Sequence, residues 1–282
     1  MKQFTILSLA IMMLFSCSTE PKKEHGAIFY TEFDTPFGTP PFDKITNDDF
    51  KPAFERGIEQ QTKEIEAIVN NPEEPTFENT IVAFDNSGSL LTRVSRVFYG
   101  LKGTENNDEI QALAEELSPI LSEHSDNISL NSELFERINT LHKNAENLNL
   151  TTEQYRLLDE NYKSFVRSGI MLDDEQKERL REINKELSAL SLSFGSNLLN
   201  ETNGFKLVVD NEEDLAGLSK GLKDAAAQVA KDNGEEGKWM FTLQKPSWLP
   251  FLQYAENRDL REKLYKAMYT RGDNDNKYDN KK

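Results

Sequence analysis

The feature that most constrains this chain is the helical spacing of its apolar residues. In one segment after another they stand three or four positions apart, so that one face of a helix collects them. The marking residues are Phe50, Phe54, Ile58, Ile65, Ile68 and Val69; Phe77, Ile81, Phe84, Leu91, Val94, Phe98 and Leu101; Ile110, Leu113, Leu117 and Leu121; Leu134, Ile138 and Leu141; Tyr155, Leu158, Tyr162 and Phe165; Leu180, Ile183, Leu187, Leu190, Phe194 and Leu198. The spacing predicts a series of amphipathic helices between residues 47 and 201.

Capping residues precede most of these segments. A polar side chain at such a position accepts a hydrogen bond from a free N–H group of the first turn. The predicted caps are Thr46 or Asn47, Thr76, Asn107, Thr151 or Thr152, and Asp173, which with Gln176 forms a capping box. The run from Asn70 to Pro72 ends the first helix.

Beyond residue 204 the spacing changes. Residues 205–209 and 238–243 are short runs of β-branched and aromatic residues bounded by turn residues, and they predict an antiparallel β-ribbon. Between them the sequence predicts a helical turn over 211–215 and a short helix over 220–231. A last helix, capped by Ser247, carries Leu252, Leu260, Leu264 and Met268, with Pro250 in its first turn. The fold class is therefore mainly α, a multi-helix body with a small antiparallel β-ribbon.

The N-terminus predicts export. Lys2 is followed by an apolar run over residues 4–15, which is too short to span a membrane. Cys17, the only cysteine, stands where a bacterial lipoprotein is lipidated, although a plain cleaved signal remains an alternative. We expect a signal peptide over 1–17, a polar tether over 18–32, a helical domain over 33–282, and a periplasmic or outer-membrane lipoprotein that meets the membrane only through its lipid.

The segment over residues 33–42 is rich in proline and carries three phenylalanines. Exposed rings would leave apolar area in water, so the sequence predicts an extended arm packed on the body. The chain as a whole has a net charge of −16, with 37% hydrophobic and 29% charged residues. Acidic residues interleaved with lysine and arginine indicate solvated helix faces and exclude a nucleic-acid partner.

No complete active site can be assembled from this sequence. His25 lies in the tether, and His124 falls on an apolar helix face and is predicted to be a core residue. His142 and Glu146, four residues apart, form at most half of a metal site. No His-Glu-x-x-His motif and no Ser-His-Asp or Cys-His arrangement is present. We therefore expect no catalytic and no metal-binding residue in this chain.

The run from Arg271 to Lys282 combines a turn with alternating charges and is typical of a connection between two helices. Its aspartates at 273, 275 and 279 have the spacing of a calcium loop. However, Lys277 stands at the fifth position, Tyr278 replaces the turn glycine, and the closing glutamate is missing. The pattern therefore predicts a connection between helices and contains no signal that closes a domain.

Four stretches, in this order, resemble the thimet-oligopeptidase-like (M3) family of zinc metallopeptidases, in particular its bacterial peptidyl-dipeptidases. They are Phe33-x-Thr-Pro-Phe-Gly-Thr-Pro-Pro-Phe42, Pro72-Glu-Glu-Pro-Thr-Phe-Glu-Asn-Thr-Ile81, Leu190-Ser-Leu-Ser-Phe-Gly-Ser-Asn-Leu-Leu-Asn-Glu-Thr202 and Tyr269-Thr-Arg-Gly-Asp-Asn-Asp-Asn-Lys-Tyr-Asp-Asn280. The resemblance implies an almost entirely helical enzyme whose two halves enclose a channel, and which removes dipeptides from the C-termini of oligopeptides.

In that family one zinc ion is held by the two histidines of His-Glu-x-x-His and a later glutamate, and the glutamate of the motif activates the zinc-bound water. Because this sequence lacks the motif, the resemblance implies that it is the N-terminal part of such a peptidase. The zinc ligands would then lie beyond this chain, and the chain alone would be inactive.

A second interpretation is a catalytically inactive, lipid-anchored helical protein that binds peptides or another partner. Such a protein would need polar or covered helix faces wherever the other half of the peptidase would pack. A long apolar patch exposed near Leu264 and Met268 would instead favour a missing half.

Overall fold

The computed structural model describes residues 24–105 and 107–281. Cys17, the signal peptide and the first part of the tether lie outside these residues. The chain divides into two compact units, where the sequence predicted one helical domain over 33–282. The first unit contains the described residues up to Glu74 together with Glu78–Glu109, and the second contains Pro75–Phe77 and the residues from Ile110 onward. In the described part, no helix is both long enough and apolar enough to cross a membrane.

The first unit is built on two helices, α1 (Phe50–Val69) and α3 (Ser89–Thr104). Their contact is close because Gly57 of α1 has no side chain: a Cβ atom there would lie 3.0 Å from the Leu91 Cα atom. Phenylalanine rings fill the core. The Phe98 ring lies 5.1 Å from the Phe50 ring and 5.4 Å from the Phe54 ring, centroid to centroid, and all three side chains are fully buried.

A fully buried carboxylate organises the start of α1. Asp49 forms a capping box with Thr46 around a short 3-10 turn, Asn47–Asp49. The Asp49 Oδ1 atom also accepts a hydrogen bond of 3.1 Å from the Gly26 N–H group. The predicted cap at Thr46 is confirmed, and the helix ends at Asn70, as the sequence predicted.

The second predicted helix is interrupted. A π-helical turn (Phe77–Val82) leads into the three-residue α2 (Ala83–Asp85), and the chain then turns before α3 begins. Gly88 has a φ of 70°, a left-handed conformation that glycine adopts readily. Its N–H group donates to Glu64 Oε2 at 2.7 Å. A single helix from Thr76 to Leu101 was therefore wrong, because apolar spacing continues across a turn.

Two further predictions for the N-terminal region are corrected. Residues 24–32 are not a free tether, since Phe29 is fully buried and its ring lies 5.6 Å from the Phe50 ring. The arm packs only through its first ring: Phe33 is partly buried, and its ring lies 6.1 Å from the Phe29 ring. Phe37 is fully exposed at the tip of a turn with a φ of 61°, and Phe42 is more than half exposed. The turn is held by local hydrogen bonds, including Gly38 N–H to Thr35 O at 3.0 Å.

Four helices lead the second unit: α4 (Asp108–Ser129), α5 (Ser132–Lys143), α6 (Thr152–Arg167) and α7 (Asp174–Gly204). The α5 and α6 helices pack through buried residues, with the Phe135 and Phe165 rings stacked 6.0 Å apart. The capping box predicted at Asp173 and Gln176 is present, and Thr151 forms another with Gln154. These helices therefore begin where their caps predicted.

The β-ribbon follows α7. Strands β1 (Leu207–Val209) and β2 (Trp239–Phe241) are antiparallel, and Val208 pairs with Met240. Helix α8 (Lys220–Asp232) connects them, and α9 (Lys245–Tyr254) and α10 (Arg258–Tyr269) follow. Their shared core consists of Leu207, Val209, Leu215, Leu218, Ala226, Phe241, Leu243, Phe251, Ala255 and Leu264. The predicted fold class, mainly helical with a small antiparallel β-ribbon, is confirmed.

The last predicted helix is also two helices. Helix α9 begins after Gln244, and Pro250 lies inside it rather than in its first turn. Ser247 does not cap the helix; its Oγ atom accepts a hydrogen bond of 3.0 Å from the Thr242 N–H group. Asn257 begins α10 by accepting from the Leu260 N–H group at 3.1 Å. The chain turns between the two helices, so the apolar spacing again continued across a break.

Candidate functional site

Two histidines, His124 and His25, lie against structural parts of the fold, a helix core and a helix cap. His124 is buried in α4, as predicted, and burial lowers the pKa of its imidazole. The Nδ1 atom of His25 lies 3.6 Å from Oδ1 of the buried Asp49. One ring thus lies in a core, and the other lies beside a helix cap.

His142, which with Glu146 was predicted to form at most half of a metal site, contacts residues of α6. Its Nε2 atom lies 3.2 Å from Asp159 Oδ1 of α6, and its ring stacks on the Tyr162 ring at 4.0 Å. Asp159 also accepts from Lys163 at 2.5 Å, and hydrogen bonds from Lys163 and His142 hold the pKa of the Asp159 carboxyl below its usual value. This cluster joins α5 to α6.

Within residues 24–105 and 107–281, no three His, Cys, Asp or Glu side chains converge as metal ligands. The donor set that zinc requires, three protein ligands and an open position for water, is therefore not formed by this part of the chain. Cys17, the predicted lipidation site, lies outside the described residues.

The surface feature that stands out is an apolar stripe on α7. Ile183, Leu187, Leu190 and Phe194 fall within about 60° of one another around the helix axis. We call these four residues the α7 stripe. They are 36%, 54%, 54% and 52% exposed, and α7 buries none of its residues. An apolar patch of the kind that would favour a missing half is thus present on α7. Near Leu264, which is fully buried, the exposed side chains are the tyrosines Tyr265 and Tyr269.

Polar contacts hold the N-terminal half of α7 in place. Asn184 donates to the buried Asp126 carboxylate of α4 at 2.7 Å, and Arg181 donates to Asn127 at 2.9 Å. Lys177 donates to Ser132 Oγ at 3.0 Å. These three residues lie about 60–120° around the helix axis from the nearest residue of the α7 stripe, and the stripe stays exposed.

The C-terminal half of α7 is covered by residues 271–281, which we call the terminal loop. Glu201 of α7 is its main attachment. The Glu201 carboxylate accepts hydrogen bonds from the Gly272 N–H group and from the side chains of Asn274 and Asn276. Burial raises the pKa of Glu201, but these three donors outweigh burial and hold the pKa below its usual value. Arg271 adds a bond of 2.7 Å to Thr202.

The aspartates that resembled a calcium loop surround a lysine ammonium group. Lys281 Nζ contacts the Asp273 carboxylate and lies 3.3 Å from Asp275 Oδ1 and 3.6 Å from Asp279 Oδ2. These contacts raise the pKa of Lys281. The pKa of the Asp279 carboxyl is held below its usual value, mainly by the hydrogen bond that it accepts from the backbone N–H group of Lys281. The ammonium group of Lys281 therefore balances the negative charge of these three aspartates.

The terminal loop runs back along α7 toward the stripe. Its first residues contact Glu201, whereas Asn280 contacts Asn197, one helical turn earlier on α7. Asn280 Oδ1 accepts from Asn197 at 2.8 Å, and Asn280 Nδ2 lies 3.5 Å from the Phe194 carbonyl oxygen. The backbone of Asn280 closes the loop by donating to Gly272 O at 2.8 Å. The loop thus meets the backbone of Phe194, the last residue of the α7 stripe, and leaves the Phe194 ring about half exposed.

Fold and site together define a class of protein, a mainly helical module that leaves an apolar helix face open and forms no metal centre within its described residues. A sequence model of the neurolysin/thimet oligopeptidase N-terminal domain matches residues 54–177. The chain belongs to this family.

Relatives extend the match along most of the chain. Dipeptidyl carboxypeptidase of Salmonella typhimurium is 38% identical over 244 residues, 86% of this chain. Dipeptidyl carboxypeptidase of Escherichia coli is 37% identical over 245 residues, 87% of this chain, and oligopeptidase A of Haemophilus influenzae is 34% identical over 249 residues, also 87%. The chain spans 36% of the length of each of these relatives.

The sequence predicted the apolar face of α7 but not its exposure. The available signal was at the C-terminal end of the helix, where Asn197 and Glu201 share the face with the stripe. Polar residues at these positions indicate that the face changes partner along the helix.

Proposed function

We propose that this chain is the N-terminal part of a zinc-dependent peptidyl-dipeptidase, an enzyme that removes dipeptides from the C-termini of oligopeptides. The observation that carries the proposal is the identity of 38% and 37% to two proteins named dipeptidyl carboxypeptidase, over 86% and 87% of the chain. Oligopeptidase A relatives are similar at 34% and 31% over comparable lengths. A peptidyl-dipeptidase is therefore favoured over a general oligopeptidase.

In this proposal zinc would be bound, and the scissile bond cleaved, by residues beyond this chain, because the described residues form no such donor set. The chain's own contribution is structural. Its helices would form most of one wall of the substrate channel, with the β-ribbon beside it, and the chain alone would be inactive. Export and a lipid anchor on Cys17 are part of the same proposal.

The α7 stripe supports this proposal over the alternative, an inactive, lipid-anchored binding protein. A binding protein that had lost its catalytic half would need polar or covered faces, whereas four large apolar side chains of α7 are 36% to 54% exposed. Such a stripe is typical of a helix that packs against another element.

The test compares two proteins, this chain and its parent as encoded by the continuing open reading frame. Each is incubated with zinc and an N-terminally blocked tripeptide, and the released dipeptide is measured by chromatography. We expect release by the parent and none by the chain. Release by this chain alone, or a stop codon directly after Lys282, would overturn the proposal.

A further inference from the structure

We propose that the α7 stripe is the seat of an amphipathic helix that directly follows the terminal loop in the parent protein and runs antiparallel to α7. The inference rests on the proposed function in one respect, that the parent continues beyond this chain. It adds which segment packs on which face, and in which direction.

The first support is the stripe itself. Four large apolar side chains at helical spacing are partly exposed, and covering their apolar surface with a partner would be favourable. From Ile183 to Phe194 the stripe is about 16 Å long, at 1.5 Å per residue. A partner helix of about three turns covers this length, with apolar residues three and four positions apart.

The second support is the direction of the terminal loop. The loop contacts α7 from Glu201 back to Asn197, one turn earlier, and reaches the backbone carbonyl oxygen of Phe194, along the same helix face that carries the stripe. Residues that continue this path arrive first at Phe194 and last at Ile183. Since α7 itself runs from Ile183 to Phe194, the arriving segment is antiparallel to it, the arrangement that a short connection produces between neighbouring helices.

The third support comes from what holds the loop in place. Asn280 is fixed at 2.8 Å to both Asn197 and the Gly272 carbonyl oxygen, so the exit of the loop is anchored on α7. The loop–α7 contact and the stripe are thus continuous along one face.

A second copy of this chain fits the stripe less well. Each chain has a net charge of −16, so two copies repel each other. Four partly exposed side chains also offer much less than the roughly 800 Å² per partner of a standard interface. A segment attached through the terminal loop needs neither, because its attachment gives it a high effective concentration.

The probe is a fluorescein-labelled peptide of the 30 residues that follow Lys282 in the parent protein. Its binding to this chain is measured by fluorescence anisotropy. We expect saturable binding that Leu190→Glu weakens at least ten-fold. The matched control is Leu199→Glu, on the same helix but about 160° away from the start of the stripe, and it should change the affinity less than two-fold.

Circular dichroism of both variants confirms that each remains helical. Absence of binding, or equal weakening by the two substitutions, would overturn the inference. So would a dimer in sedimentation that Leu190→Glu converts to a monomer, because the stripe would then serve a second copy. If the parent releases dipeptides while its α7 exchanges amide hydrogens as fast as in this chain, the inference fails and the proposed function stands. If the peptide binds but the parent releases no dipeptide, the inference stands and the proposed function fails.

Discussion

Helices α1 and α7 have the same kind of sequence and different surroundings. Both are long, and both carry apolar residues at helical spacing. A capping box lies in the 3-10 turn that leads into α1, and another begins α7. Helix α1 buries Phe50, Phe54, Ile65 and Ile68 against its own unit, whereas α7 buries no residue and is held by polar contacts and a loop. An amphipathic pattern thus determines which face of a helix is apolar, while the rest of the fold determines what covers it.

The largest expected effect comes from truncating one aromatic ring in the core around α1 and one on the α7 stripe. Phe98→Ala should destabilise the protein by about 3–5 kcal/mol, because Phe98 is fully buried between Phe50 and Phe54. Phe194→Ala on the α7 stripe should cost less than about 1 kcal/mol, because the ring is already half in water. Urea unfolding followed by circular dichroism measures both, and equal losses would contradict the contrast.

The caps of the two helices give a smaller effect. Asp49→Ala should cost about 2 kcal/mol, the upper end for a helix cap, since Asp49 is fully buried and also accepts from Gly26. Asp173→Ala removes an exposed cap, whose carboxylate accepts from the Gln176 N–H group at 2.8 Å, and should cost about 0.5–1 kcal/mol. The same unfolding curves decide the ranking, and a larger loss at Asp173 would reverse it.

A glycine in each helix gives effects of opposite sign. Gly57→Ala places a methyl group 3.0 Å from the Leu91 backbone, and overpacking should outweigh the helix propensity of alanine by about 1 kcal/mol. Gly195→Ala on α7 meets no atom within 4 Å and should stabilise the protein by about 0.5–1 kcal/mol. The shift in melting temperature gives the sign, and stabilisation by both would indicate that α1 and α3 can separate.

The smallest effect concerns the loop that partly covers α7. Because the folded pKa of Glu201 is below its usual value of 4.5, the bonds to the terminal loop add stability above that value. This stability is lost as the pH falls through the lowered folded pKa. Hydrogen exchange of the Gly272 amide should accelerate, relative to its intrinsic rate, in that acidic window. In Glu201→Gln the acidic change should be absent, and an unaltered pH profile would contradict the assignment.

Sequence reasoning succeeded where a residue acts on its near neighbours. The capping box at Asp173, the cap at Thr46 and the antiparallel ribbon were predicted from local chemistry and are present. It failed at the turns near Gly88 and Asn257, because apolar spacing persists through a change of direction when both helices face the same core.

Sequence reasoning also failed for contacts between residues that are far apart in the sequence. Nothing near Phe29 in sequence indicates that its ring packs on Phe50, and nothing in the spacing of α7 separates a covered stripe from an open one. The expectation that this chain carries no catalytic residue rests on missing sequence motifs, such as His-Glu-x-x-His, and it stays a prediction. Cys17 lies outside the described residues, so its lipidation stays a prediction.

The turn at Phe37 has a practical consequence for handling the protein. A fully exposed aromatic residue at the tip of a surface turn is a preferred point of attack for a protease that cleaves after aromatic residues. A cut there would not release the N-terminal fragment, because Phe29 is buried beside Phe50 and the Gly26 amide is bonded to Asp49. Digested protein would elute as one species in native chromatography and separate into two fragments only after denaturation.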